Sequence, residues 1–441
     1  MARRQCPAAG PSGKEADLSQ RRTILATLFP ARVTQWFGPA LVAGGAAAII
    51  GVVTVTSGVL DLTASTPHPQ GWATFLHYVF NRSVAHHSAD LTPPADLDSE
   101  PRIIKGAVYY SRVCANCHAG PGFGQSPVAL ALRPQPQYLV TQAKLFDASG
   151  LFWIVKHGVK YSAMPAWTTQ SRDDEVWSIV AFLRALPGLD NARYQALAGM
   201  TPDPVPAAAP AQGEGSYHPD IAMNNGGTDA VPDYSVSRPA VAFGRGSIGA
   251  DPTLACVQCH GADGAGRAGA PFPNLTLLDR VTFKKALTQF ATGARHSGYM
   301  QPVAAQLTNA QIDALTAAFG AMPRRPSPQF AATPAQLALG EQIANKGIPA
   351  ARVNACQICH AINRADSKLY PAIAGQNVWY LRDQLALFRA GQRDGGDPIN
   401  PMLAAAHGLT DPQIAAVSAW YAARPPEAPA AVPENPKTAA D

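Results

Sequence analysis

The 441-residue sequence has little cysteine and lacks the common motifs of catalytic domains. Of its seven cysteines, six fall into three C-x-x-C-H repeats, so apart from Cys6 none remains for a structural disulfide. The repeats lie about 100 or more residues apart, whereas a zinc site needs two such pairs close together. Dinucleotide-binding, P-loop and hydrolase-elbow motifs are also absent, so no sequence signal indicates a catalytic domain within the chain.

Positive charge is concentrated near the N-terminus. The formal net charge is +5, but six cationic residues and two acidic ones precede residue 40, which leaves about +1 for the rest. No Lys/Arg-dense face with interleaved aromatic residues follows. Nucleic acid is therefore not an expected partner.

No charged residue occurs between Arg32 and Asp61, and the run from Leu41 to Leu60 is long enough to span a bilayer as one helix. The alternative is a cleaved signal peptide, whose apolar core is usually only about 7–15 residues long. No A-x-A cleavage site follows directly, so we favour an uncleaved transmembrane signal anchor. Because the arginines precede it, the positive-inside rule places the N-terminal tail in the cytoplasm. We expect a single-pass protein of the bacterial inner membrane with its other domains in the periplasm.

The three C-x-x-C-H motifs share one chemistry. Two cysteines one helical turn apart form thioethers with the vinyl groups of one porphyrin, and the adjacent histidine ligates the iron. A lone C-x-x-C is more often a zinc half-site or a redox dithiol, but the wide spacing argues against zinc, and six of the seven cysteines fall into three motifs that each end in histidine. The sequence therefore predicts three covalently bound haems c with iron. The predicted attachment and proximal residues are Cys114, Cys117, His118, Cys256, Cys259, His260, Cys356, Cys359 and His360.

One methionine follows each motif at a similar distance. Met164, Met300 and Met402 lie 46, 40 and 42 residues after the motif histidines. A methionine thioether opposite the histidine raises the haem potential. An isolated methionine is more often core filler, but the regular recurrence favours axial ligands in equivalent loops between the middle and final helices. The expected iron ligand pairs are His118 with Met164, His260 with Met300, and His360 with Met402; His296 and Met322 are alternatives near Met300, and His407 is a weaker alternative to Met402.

Each proximal imidazole needs an acceptor for its second N–H group, which sets the ring orientation. A backbone carbonyl in the proline loop after each motif can serve. The candidate acceptors are Pro136, Pro273 and Pro371.

Helical periodicity between proline-rich breaks predicts an all-α chain of several domains. The final helices share a register that aligns Val176, Ile312 and Ile414. An amphipathic helix from Trp72 to Val84 is expected to dock its aromatic stripe on the first domain or on the membrane surface. The expected parts are a cytoplasmic tail at 1–35, the anchor at 36–60, a connector at 61–100, domains at 101–199, 239–325 and 330–424, a linker at 200–238 and a disordered tail at 425–441. The Pro/Ala/Gly-rich linker predicts that the first domain moves relative to the other two.

Two details of the first domain concern packing. Gly106, Tyr110 and Cys114 are spaced four apart on one helix face, so we expect a close helix approach at the glycine and a buried aromatic ring. The final helix is expected to start after Ser171 as N-cap, with Asp173–Glu175 in its first turn beside the positive end of the helix dipole.

All three domains resemble class I cytochrome c domains, with a helix entering C-x-x-C-H, a proline loop, a methionine and an aromatic C-terminal helix. The third is most similar to a cytochrome c4 domain, through Pro371–Gln376 and Phe388–Gly391. With the second it resembles the di-haem c4 arrangement. The first resembles the leading domain of membrane-anchored multi-haem cytochromes. One departure is Ala361, where the glycine after the motif histidine is usual.

The resemblance implies an electron carrier and not an enzyme. Its redox partners would be a periplasmic dehydrogenase or the quinol pool as donor, and a terminal oxidase or a soluble cytochrome as acceptor. One alternative is a di-haem peroxidase-like enzyme, which needs an iron with a displaceable sixth ligand. Another is an obligate cytochrome subunit of a periplasmic dehydrogenase complex.

Overall fold

The structure is a computed structural model that describes residues 31–64, 66, 71–122, 124–200, 253–328, 330–361, 370–393 and 399–426. The predicted linker from residue 201, most of the predicted cytoplasmic tail and nearly all of the C-terminal tail lie outside these ranges. Within them the chain is helical and has no β-strand, although an isolated antiparallel bridge joins Ile348 and Val353; this confirms the all-α prediction. The chain divides into two compact units, Met1–Thr66 and Pro67–Asp441.

The helices are numbered in chain order. They are α1 (Ala31–Thr56), α2 (Trp72–Ser88), α3 (Glu100–Tyr109), α4 (Ala115–His118), α5 (Pro127–Ala131), α6 (Leu139–Gln142), α7 (Ala148–His157), α8 (Asp173–Ala185), α9 (Asn191–Ala198), α10 (Leu254–His260), α11 (Arg280–Ala291), α12 (Met300–Ala304), α13 (Asn309–Gly320), α14 (Pro334–Lys346), α15 (Gln357–His360), α16 (Val378–Arg389), α17 (Pro401–His407) and α18 (Asp411–Ala422). We call residues 71–200, 253–328 and 330–426 the first, second and third segments; each carries one C-x-x-C-H motif.

The N-terminal unit contains α1. Its Trp36–Thr56 stretch of 21 residues is long and apolar enough, by length and composition, to cross a membrane. Within the described residues the helix spans Ala31–Thr56, so it ends before the predicted end of the anchor at residue 60. It ends there because Gly58 adopts a left-handed φ of 73°. The membrane span itself stays a prediction.

The α2 helix divides its apolar residues between two surfaces. In its second half Val84 is buried, and the Phe80 ring meets Phe146 edge-on at 6.2 Å. In its first half Trp72 and Phe75 are 48% and 52% exposed. The prediction that α2 docks on the first domain is therefore confirmed for the second half of the helix. The aromatic side chains of the first half stay exposed.

Helices α3 and α14 each pack against the final helix of their segment, and a glycine lies at the point of closest approach in both pairs. A Cβ atom at Gly106 would lie 2.0 Å from the backbone oxygen of Ser178, and one at Gly340 would lie 2.2 Å from that of Ala416. Ser178 and Ala416 occupy equivalent positions in the predicted register. The close approach predicted at Gly106 is confirmed, and the same crossing recurs in the third segment.

Buried apolar side chains form three clusters in the described residues, one centred in each segment. The cluster of the first segment includes the fully buried rings of Tyr110 and Phe182. It also includes Ala270 and Phe272 of the second segment. The first and second segments therefore share part of one core.

Candidate functional site

The first motif lies on a continuous helical run. Helix α3 continues through a π-helical turn at Tyr110–Cys114 into α4, which ends at His118. The buried Tyr110 hydroxyl donates to the backbone oxygen of Ala119 at 2.8 Å. This hydrogen bond links the helix before the motif to the residue that follows the motif. Both motif cysteines lie between Tyr110 and Ala119 in the sequence, and both are half-buried.

Each motif histidine is oriented by a backbone carbonyl of the following loop. A carbonyl oxygen only accepts, so Nδ1 donates and Nε2 is the nitrogen left to bind a metal. The Nδ1–O distances are 2.8 Å for His118 with Gln137, 3.0 Å for His260 with Pro273 and 2.9 Å for His360 with Pro371.

Two of the three predicted acceptors, Pro273 and Pro371, are confirmed. Pro136 is wrong by one residue, because the acceptor in the first segment is Gln137. The Pro136 carbonyl instead accepts from Nε2 of the fully buried Gln125 at 2.8 Å, and the same Nε2 donates to the oxygen of Cys117 at 2.7 Å. Gln125 thus links the motif to its proline loop. No sequence pattern marked Gln125, because a glutamine in a loop carries no such signal.

The protonation of the motif residues argues against a reactive dithiol. Burial lowers the pKa of His118, His260 and His360 against the opposing effect of their carbonyl hydrogen bonds, so the imidazoles are neutral. Burial raises the pKa of the Cys114 thiol to about 12 and that of Cys356 to about 11. A reactive dithiol needs a lowered thiol pKa. In the described ranges, moreover, no three His, Cys, Asp or Glu side chains gather into a metal-binding group.

The candidate methionines lie between the middle and final helices of their segments. Met164 is in the loop between α7 and α8, where its N–H donates to Ser162 Oγ at 3.1 Å. Met300 and Met402 lie instead in the first turns of the short helices α12 and α17, so the prediction of three equivalent loops is wrong for these two. Asn400 caps α17 and accepts the Met402 N–H at 3.0 Å. The order of motif, middle helix, methionine and final helix nevertheless recurs in all three segments.

The alternative histidine ligands are engaged elsewhere or exposed. His296 Nδ1 lies 3.0 Å from the hydroxyl of Ser171. His407 is exposed in the last turn of α17. His157, which is not among the expected ligands, is likewise exposed, and its ring lies 3.9 Å from that of Trp153. These contacts favour the methionines as the partners of the motif histidines.

Between the second and third segments, a cluster of positive charge fits a group that carries carboxylates. Arg295 donates to the Tyr380 hydroxyl at 3.2 Å and to Gln384 Oε1 at 3.0 Å. Burial, together with Arg295, lowers the pKa of Arg393 to about 9. Although burial opposes it, both arginines lower the pKa of Tyr380 to about 8. Neither guanidinium forms an ion pair with a carboxylate of the described residues, and haem propionates would balance this charge.

The second motif also contacts the first segment. Gln258, inside C-V-Q-C-H, accepts from Arg112 at 3.1 Å through Oε1 and donates from Nε2 to the backbone oxygen of Ala198 at 2.9 Å. Arg112 stands two residues before Cys114. These bonds and the shared core join the first domain to the second, whereas the linker composition predicted that the first domain moves relative to the other two.

Sequence reasoning missed the role of the residues at the start of α8. The helix N-cap is Arg172 and not the predicted Ser171, whose hydroxyl is engaged by His296. Glu175 is only 1% exposed and contacts the second segment, whereas the sequence indicated only an acidic residue in the first turn beside the positive end of the helix dipole. The helix dipole is enough to explain an acidic residue in the first turn, so nothing in the sequence indicated a further role for Glu175.

An all-helical chain that repeats C-x-x-C-H beside a carbonyl-anchored histidine has the architecture of a c-type cytochrome. The family described as cytochrome c oxidase, cbb3-type, subunit III matches residues 101–183. The "thiosulfate dehydrogenase electron acceptor" of Stutzerimonas stutzeri (strain A1501) is 36% identical over 40% of this chain and 81% of that protein. Cytochrome c4 of Thiocapsa roseopersicina is 32% identical over 37% of this chain and 84% of that protein.

A solved thiosulfate dehydrogenase from Marichromatium purpuratum is 31% identical, with a TM-score of 0.36, over 38% of this chain and 36% of that one. The chain therefore spans about a third of that neighbour. From the curated relatives, the chain belongs to the cytochrome c family. Membership implies covalently bound haem c with iron, and the function is electron transfer.

Proposed function

We propose that this protein is a membrane-tethered electron carrier with three covalently bound haems c on the periplasmic side of a bacterial inner membrane. A periplasmic dehydrogenase that oxidises thiosulfate supplies the electrons, with the quinol pool as the second source. They leave to a terminal oxidase or to a soluble cytochrome. The chain itself transforms no substrate.

The observation that carries the proposal is the threefold repetition of one arrangement. Each C-x-x-C-H histidine is anchored through Nδ1 to a carbonyl 11 to 19 residues further on, and a methionine follows before the final helix. Bound haem supplies a one-electron iron couple. The chain holds two ligands for each iron on hydrogen-bonded backbone, so oxidation and reduction change the geometry little. The proposed pairs are His118 with Met164, His260 with Met300, and His360 with Met402.

The relatives support both ends of the electron route. The Stutzerimonas protein is named as an electron acceptor of thiosulfate dehydrogenase, which supports such an enzyme as the donor. The family matched at 101–183 is described as an oxidase subunit, which supports an oxidase as an acceptor. Membrane tethering is supported by the apolar Trp36–Thr56 stretch and by the arginines that precede it.

The haem count is tested by mass spectrometry of the exported full-length protein. We expect the mass of the chain plus three haems, and the loss of one haem when Cys114 and Cys117 are both replaced by alanine. The matched control replaces Cys6, which lies outside the motifs, and should keep all three. Fewer than three haems on the unmodified chain would refute the proposal.

The donor is tested by mixing the oxidised protein with a thiosulfate dehydrogenase and thiosulfate. Rapid reduction of its haem absorbance is expected, and no reduction is expected when either component is left out. Co-purification in mild detergent separates a free carrier from an obligate subunit. Turnover of peroxide at enzyme-like rates would instead favour the peroxidase-like alternative.

A further inference from the structure

Glu175 of α8 reaches from the first segment to the turn that precedes Met300 in the second. Its Oε1 accepts the Ser297 hydroxyl at 2.7 Å, and its Oε2 accepts the Gly298 N–H at 2.6 Å. The Ser297 oxygen in turn accepts the backbone N–H of Met300 at 3.1 Å. The carboxylate is only 1% exposed, so water does not compete for these hydrogen bonds. A buried carboxylate of one segment thus connects, through one hydroxyl, to the methionine of another.

Further bonds from the first segment bracket the same turn. Arg172 donates to the backbone oxygen of His296 at 2.7 Å and pairs with Glu175 at 3.1 Å. On the other side of the methionine, the Thr169 hydroxyl donates to Gln301 Oε1 at 3.2 Å. The turn is therefore held on both sides by α8 and the loop before it.

Packing reinforces the hydrogen bonds. A Cβ atom at Gly298 would lie 2.5 Å from the indole of Trp167, so the two loops are in direct contact. Trp167 belongs to the same loop as Met164. Next to Gly298, the Tyr299 ring lies 5.8 Å from Trp167 and 4.8 Å from Tyr109. The methionine-bearing stretches of the first and second segments thus pack against each other.

The other two methionines are anchored within their own segments. Met164 donates its N–H to Ser162 of its own loop, and Met402 donates to Asn400, the cap of its own helix. In the second segment the anchor of Met300, the Ser297 hydroxyl, is itself held by Glu175, a side chain of another segment. An interface that only held two segments together would not require a side chain of one segment to anchor the methionine of the other.

We propose that Glu175 is a positioning residue that keeps Met300 on the iron of the second haem, so that the docked first segment completes the ligation of the second. This inference rests on the proposed function, in which Met300 is that ligand. The expected consequence is a closed second haem that exchanges electrons and does not bind small exogenous ligands. Without the carboxylate, the turn detaches more often.

The test measures carbon monoxide binding to the reduced full-length protein. Carbon monoxide enters only when the methionine has left the iron, so its binding rate reports the detached fraction. In Glu175→Gln the charge is lost and an amide NH2 faces a donor. Losing one charge-assisted hydrogen bond should raise the binding rate at one haem by about tenfold to hundredfold.

The matched control is Asp173→Asn, which removes a negative charge from the same helix turn. Asp173 pairs with Lys156 at 2.6 Å and, among the described residues, forms no hydrogen bond or ion pair with the turn before Met300. Met300→Ala defines the fully open second haem. Ser297→Ala removes the bridging hydroxyl and replaces Glu175→Gln as the test if that variant does not accumulate with three haems.

A rate increase in Glu175→Gln or Ser297→Ala, with Asp173→Asn like the unmodified protein, supports the proposal. If Met300→Ala binds carbon monoxide but Glu175→Gln and Ser297→Ala match the control, the inference is overturned and the proposed function stands. If Met300→Ala itself stays closed, the assignment of Met300 fails, and the inference fails with it.

Discussion

Replacing Gly106 by alanine should push α3 away from α8. The new Cβ atom would lie 2.0 Å from the Ser178 backbone oxygen and 2.7 Å from the Phe182 Cβ atom. Neither atom can move aside by a change of rotamer, so the helices themselves must separate. The displaced helix is the one that leads into Cys114.

The cost follows from two opposing effects. Adding a methyl group to a packed interface costs about 1–3 kcal/mol. Alanine regains up to about 1 kcal/mol over glycine in a helix. Contact with a backbone oxygen places the clash at the upper end of its range. The net loss is therefore about 2 kcal/mol, or roughly a 30-fold increase in helix opening.

Hydrogen exchange of the full-length protein, followed by mass spectrometry of peptides from α8, measures this opening directly. The control is Gly188→Ala, because no atom lies within 4 Å of the Cβ position there and its φ is not positive. Protection of α8 should fall in Gly106→Ala and stay unchanged in the control. Equal protection in both variants would refute the steric reasoning.

Three further predictions follow from individual contacts. Met164→Ala should produce one haem that binds carbon monoxide at full occupancy while two stay closed, and an unchanged spectrum would reassign that ligand. Gln125→Leu should destabilise the first segment by about 1–3 kcal/mol in denaturant unfolding, because two buried carbonyls lose their donor; no change would contradict that role. Burial opposes the charge of Lys105, but Asp383 and Asp174, each 3.3 Å away, raise its pKa above 10.5. The stabilisation that Lys105 contributes is thus complete below pH 10.5 and lost as the pH rises through the raised pKa. Lys105→Met should remove that alkaline step from the plot of unfolding free energy against pH. An identical step in both proteins would contradict the assignment.

The contacts of the first segment with the other two bear on how electrons pass along the chain. The Pro/Ala/Gly-rich linker predicted that the first domain moves relative to the other two. Instead, Gln258 inside the second motif is bonded to the helix that carries the first, and Lys105 reaches Asp383 of the third segment. Electrons are therefore expected to pass between fixed neighbours.

The sequence by itself determined the chemistry of this protein, because that chemistry depends on residues close together in the chain. C-x-x-C-H needs one helical turn, and the carbonyls that orient His260 and His360 lie only 13 and 11 residues further on. The close helix approach at Gly106 could likewise be predicted, since the residues on one helix face follow from their spacing alone.

Only the tertiary structure decided how the segments act on one another. Glu175 looked like an ordinary first-turn carboxylate, and its partner Ser297 lies 122 residues away. Such a pair leaves no periodic signal, because burial of a charge depends on which surface packs over it. Local spacing therefore determines which groups can bind iron, and long-range packing determines what holds them in place.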